Sequence, residues 1–177
     1  MLSLIRDFNL VATTYRRAEG HARSELRYVL EQAGDATAVV DRTGISGVIV
    51  AKTALNPFEA IGKFREILKE RPYEFRYLLR IVPVEKVVQT DLDQVQSAVK
   101  ELSLKILENE TFRVTVEKRF TTLPSRELVE SAASVVKRIV NLSEPQQIIL
   151  IEVLGGLTGV AVTKPEGILS ILKEKIL

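Results

Sequence analysis

Arg113, Lys118, Arg119 and Arg126 crowd one stretch of the chain in which Glu117 is the only acid before Glu127. Thr121, Thr122 and Ser125 stand between them. Guanidinium and ammonium groups set among small hydroxyls suit phosphate. They neutralise a polyanion and release its counterions, which gives affinity without reading sequence. Structured RNA is recognised by shape and by contacts to phosphates and 2′-hydroxyls, so the patch fits a folded RNA backbone better than an aromatic stacking face would. Ser125 adds to this, because a helix is expected to begin there and helix N-termini favour anions. Lys118 and Arg119 are read as exposed, so reversing their charge is expected to weaken RNA binding and leave the melting temperature nearly unchanged.

Other residues could extend the patch. Lys137 lies about three helical turns beyond Arg126 on the same expected helix, so the two share a face. Gly155, Gly156 and Gly159 either let an RNA backbone approach closely or serve as hairpin glycines with positive φ. Lys164 follows the last long strand. Earlier in the chain, Arg16 and Arg17 follow the first strand and Arg42 sits in an expected turn. These three either lengthen the surface or act as solubilising charge. Arg76 and Arg80 alternate along one strand and are either RNA contacts or partners for nearby acids.

Most enzyme chemistry lacks its residues. There is no Cys, which removes disulfides, thiolate nucleophiles and Cys-ligated zinc. His21 is the single histidine, so paired-histidine metal sites are excluded, and no nucleophile motif lies near it. Asp41-Arg42-Thr43-Gly44 could hold a phosphate, but without a second carboxylate it reads as a turn. No cofactor or metal is expected. The net charge is only +2, so any basic surface must be local. The chain is 46% hydrophobic, enough for packed cores, yet no apolar run reaches the roughly 18–20 residues of a membrane span. Arg6 and Asp7 fall where a signal peptide needs apolar residues, so a cytoplasmic location is expected and no membrane partner.

The elements that must position these groups follow from periodicity. Asn9–Thr14 reads as a strand. Ala22, Leu26, Val29, Leu30 and Ala33 then recur at helical spacing, with Gly34 as a stop. Thr37–Val40 and Gly47–Lys52 read as strands around the Asp41–Gly44 turn. Asn56-Pro57 opens a helix whose stripe is Phe58, Ile61, Phe64, Ile67 and Leu68. Phe75–Val84 is a long apolar strand whose Pro83 should stop pairing or form a bulge. Strand, helix, strand, strand, helix, strand is the ferredoxin-like βαββαβ arrangement. The remainder reads differently. A helix carries Leu92, Val95, Val99, Leu102 and Ile106. Thr111–Lys118 is a strand, and Ser125–Val140 a helix with Leu128, Ala132, Val135, Val136 and Ile139 inward. Ile148–Leu154 and Gly159–Thr163 are strands, and Thr163-Lys164-Pro165-Glu166 opens a closing helix. The expected class is α+β, with domains at 1–88 and 89–177.

The run Arg76 to Val84, a helix, and then Thr111 to Arg119 resemble a THUMP domain. So do the helix after it, Asn141-Leu142-Ser143-Glu144-Pro145, an apolar strand, and the Gly-rich stretch from Gly155 to Gly159. The first half is similar to the ferredoxin-like module that commonly precedes THUMP domains. The chain is most similar to stand-alone THUMP proteins related to the adaptor for 4-acetylcytidine formation in tRNA. The resemblance implies tRNA binding, often at the acceptor stem, and places Lys118 and Arg119 on the basic end of the THUMP strand motif. Because no cofactor loop or zinc cluster is read, the implied role is a non-catalytic adaptor that presents tRNA to a separate acetyltransferase or other modification enzyme. A self-contained modifying enzyme would need a site that the residues do not supply. The alternative is a small-molecule-sensing regulatory module on a ferredoxin-like fold.

Overall fold

The computed structural model describes residues 6–176, and the opening Met1 to Ile5 lie outside that span. The described residues form a mixed α+β structure with two five-stranded sheets and five α-helices. Two compact units divide them. One holds the residues up to Val84 together with those from Gly167 onward, and the other is Glu85–Glu166.

The first unit contains β1 (Leu10–Thr14), α1 (Glu19–Gln32), β2 (Val39–Arg42), β3 (Val48–Lys52), α2 (Pro57–Glu70) and β4 (Leu78–Pro83). The strands lie in the order β4-β1-β3-β2 and every pair is antiparallel. Asn56 starts α2 as expected, its side chain accepting the N–H groups of Phe58 at 2.9 Å and Glu59 at 3.3 Å. One face of the sheet supplies Leu10, Ala12, Ile49, Ala51 and Ile81. Ala22, Leu26, Val29 and Leu30 of α1 pack on these with Ile61, Phe64 and Leu68 of α2. Phe64 is fully buried, and its removal would cost about 3–5 kcal/mol.

Three local expectations change. Asp41 and Arg42 belong to β2, and the turn lies beyond them. There the Thr43 hydroxyl accepts from Ile45 N–H at 3.0 Å and donates to Val48 O at 3.0 Å, while Gly44 and Gly47 take φ of 82° and 76°. β4 starts at Leu78 rather than Phe75, because the Glu25 carboxylate takes the N–H groups of Arg76 and Leu78, each at 2.8 Å. Pro83 makes no bulge. It sits in register with Leu10, and pairing runs on to Val84 N–H and Asn9 O at 2.9 Å.

The second unit contains β5 (Lys86–Gln89), α3 (Leu92–Leu102), β6 (Thr111–Arg119), α4 (Ser125–Ala133), β7 (Ile139–Val140), β8 (Gln147–Leu154) and β9 (Leu157–Thr163). The strand order is β5-β9-β8-β6-β7, with β6 parallel to both of its neighbours. α3 and α4 cover one face through Val95, Ala98, Val99, Leu128 and Ala132, which meet Phe112, Ile149, Ile151, Val153, Val160 and Val162. Every residue of β8 is buried, as its apolar run implies.

α4 is shorter than expected. It stops at Ala133, Ser134 N–H closes its last turn on Glu130 O at 3.0 Å, and Ile139 is 74% exposed in β7 instead of facing inward. The closing helix does not start at Thr163. Pro165–Gly167 is a 3-10 turn, followed by β10 (Leu169–Ser170) and α5 (Ile171–Ile176). This last segment, expected within 89–177, pairs with the outer edge of β4 in the first unit, Leu169 opposite Ile81. Arg65 Nε meets Glu174 Oε1 at 2.5 Å and Lys175 Nζ meets Phe75 O at 2.5 Å, which fixes the segment there. An unpaired edge on β4 is thereby covered.

Candidate nucleic-acid interface

Parallel β6 and β8 end together, and their C-terminal end gathers part of the basic set. Arg119 is the last residue of β6, and its carbonyl accepts Gly155 N–H at 2.9 Å. The β8–β9 turn at Gly155-Gly156 therefore lies beside it. Gly155 has φ of 63°, as a tight hairpin requires. The chain then leads into α4, whose first residues are Ser125 and Arg126. Lys118 Nζ donates to Leu123 O at 3.1 Å, which ties the strand end to the approach to that helix. Lys118, Ser125, Arg126 and Gly156 are exposed. Ligands in open α/β sheets bind at this end, beyond the C-termini of parallel strands.

The remaining predicted residues of this unit lie elsewhere. Arg113 is six positions before Arg119, roughly 20 Å along the strand. Its guanidinium donates to Leu142 O at 2.9 Å and to the Thr115 hydroxyl at 3.3 Å. Lys137 is beyond α4, just before β7, which pairs with the start of β6. The expected shared face with Arg126 is lost because the helix has already ended. Lys164 follows Thr163, which lies opposite Ile148 at the start of β8. Nearby, the Leu107 N–H, then the Gln147 amide and more weakly the Lys164 charge hold the Glu110 carboxyl below its ordinary value. Arg113, Lys137 and Lys164 thus mark the opposite end of the sheet. Arg16 and Arg17 are exposed in the first unit, Arg17 with φ of 68°.

Lys118 and Arg119 do not act as one pair. Successive strand residues point to opposite faces. Lys118 follows the face of Phe112, Val114 and Val116, which meets the helices. Arg119 turns to the other face, where its guanidinium lies 3.4 Å from the fully buried Glu152 carboxylate. The Arg119 side chain is only 17% exposed, so the expectation that its charge reversal spares stability is corrected. Arg126 pairs with Glu130 at 2.8 Å on the α4 surface, in full contact with solvent. Such a pair is weak and opens readily for a polyanion.

Sequence reasoning missed Phe120. It follows Arg119 with φ of 54° and is 78% exposed at the same end of the sheet. No local periodicity marks a single residue after a strand. Among the described residues there is no group of His, Asp and Glu placed to hold a metal, and no helix is long and apolar enough to cross a membrane.

No protein-family model and no curated protein matches the chain. Solved structures do. PH1313 from Pyrococcus horikoshii is 19% identical, with a TM-score of 0.67 over 88% of this chain and 55% of that one. TrmN from Thermus thermophilus is 16% identical, with a TM-score of 0.57 over 86% of this chain and 44% of that one. A 4-thiouridine synthetase–RNA complex with bound ATP is 15% identical, with a TM-score of 0.50 over 89% of this chain and 42% of that one. Three further matched structures carry a methylase or methyltransferase name, one of them in complex with SAH. The chain has a THUMP-like fold. It spans about half the length of the proteins it matches or less.

These neighbours overturn the expectation of a non-catalytic adaptor for an acetyltransferase, and with it the expectation that the protein is not an enzyme. The fold recurs in proteins named for methyl transfer, and residues missing from a region that corresponds to half of each neighbour say nothing about the catalytic chemistry.

Proposed function

We propose that this chain is the RNA-holding part of an RNA-modifying enzyme, with tRNA as substrate and methyl transfer as the reaction class. The observation that carries the reading is the convergence of Lys118, Ser125, Arg126 and the Gly155-Gly156 turn at one end of the second sheet. A helix N-terminus, two exposed cations and a close-approach turn together suit a phosphate backbone. The RNA bound in the 4-thiouridine synthetase complex and the methyltransferase-named neighbours support the substrate and the reaction class. We read the first unit as ferredoxin-like, from its βαββαβ order and β4-β1-β3-β2 sheet, and Glu85–Glu166 as the THUMP part. Arg113, Lys137, Lys164, Arg16 and Arg17 are secondary phosphate contacts in this reading, with the tRNA acceptor stem as the docked region.

A gel-shift titration with tRNA tests it. Binding should be clear at low salt and fall steeply as salt rises. No binding at low salt ends the proposal.

A further inference from the structure

Phe8, Phe64, Phe75 and Phe112 are buried and Phe58 is half-buried, but Phe120 is 78% exposed. Its φ of 54° lies in the left-handed region, which an aromatic side chain adopts at a cost in energy. The chain on both sides holds it there. Arg119 O accepts Gly155 N–H at 2.9 Å, and the Thr121 hydroxyl accepts Leu123 N–H at 3.2 Å. A strained backbone thus presents a flat apolar ring to solvent, at the sheet end that carries Lys118 and Arg126. A ring alone would suit many apolar partners. A ring among cations suits an anionic polymer that carries flat faces, which describes nucleic acid with an exposed base.

We propose that Phe120 is a stacking platform for an unpaired nucleobase of the bound RNA. The inference rests on the RNA-binding reading above and narrows its substrate to RNA in which a single-stranded segment adjoins a helix. A base inside a duplex has both faces covered and cannot reach the ring. Stacking tolerates any base, so Phe120 would register that a base is free and not which base it is.

The test uses the full chain and two RNA hairpins, one with single-stranded tails on both ends and one blunt. Wild type should prefer the tailed hairpin by on the order of ten- to a hundredfold. Phe120→Ala and Phe120→Gly should both abolish the preference and leave affinity for the blunt hairpin unchanged. Phe120→Trp should keep it. The chain has no Trp, so the emission of that variant reports stacking directly, quenched by the tailed hairpin and unaffected by the blunt one. Equal binding of both hairpins by wild type overturns the stacking role and leaves RNA binding standing. A preference that survives in Phe120→Gly assigns the effect to the backbone and overturns the role as well. Failure to bind either hairpin removes RNA binding and stacking together.

Discussion

The Arg119 guanidinium lies 3.4 Å from the carboxylate of Glu152, a residue with no solvent exposure. The cation that ends β6 is therefore also a counterion of a buried acid. Removing it takes a cationic partner away from a carboxyl group buried in the sheet. Arg119→Ala should lower stability by about 3 kcal/mol, read as a shift of the urea midpoint. An unchanged midpoint would show that Glu152 is satisfied without Arg119.

Lys118 and Arg126 carry no such burden. Their double charge reversal, Lys118→Glu with Arg126→Glu, should weaken tRNA binding at least tenfold, with the melting temperature almost unmoved. Wild-type affinity in the folded double variant would take both residues out of the interface.

Acid should loosen the first unit through Asp35. Burial by itself raises this carboxyl, but hydrogen bonds from Thr37, the Thr53 hydroxyl and Ala54 N–H outweigh it and lower the pKa to about 2, from 3.8. A lowered folded-state pKa contributes stability that is complete above the unfolded value and is lost as pH falls through the folded one. Roughly 2 kcal/mol should disappear between about pH 4 and pH 2, and Asp35→Asn should flatten that part of the stability profile. An equally steep acid limb in Asp35→Asn would assign the loss to other carboxylates.

Two glycines should respond unequally to alanine. At Gly47 a Cβ would meet Thr14 O at 2.9 Å in a residue with φ of 76°, so strain and a backbone clash combine. Gly155 has φ of 63° with nothing within 4 Å of the added atom. Gly155→Ala should cost about 1 kcal/mol and Gly47→Ala clearly more, measured by chemical denaturation. The reverse order would contradict the turn geometry.

Reading the chain from its residues succeeded where a signal was repeated or chemically specific. The stripe of α1, the Asn56-Pro57 start of α2 and the apolar run of β8 each left a pattern of several residues. Lys86-Val87-Val88-Gln89 is too short to show a period, so β5 was missed. Val135 and Val136 continued a helical stripe past Ala133, where the chain had already turned towards β7. At the interface, local sequence placed Lys118, Ser125 and Arg126 near one another through short-range connectivity. It could not separate Arg113 from Arg119 by strand length, nor find Glu152 behind Arg119. Those relations are set by sheet register, which no local window contains.

The return of the last residues to β4 has a bearing on how the protein is made. Leu169 completes the first sheet beside Ile81, so the edge of the first unit is sealed only once Glu85–Glu166 has been made. The intervening unit is threaded through its host as an insert. A recombinant fragment cut after Val84 would leave that edge bare and invite self-association.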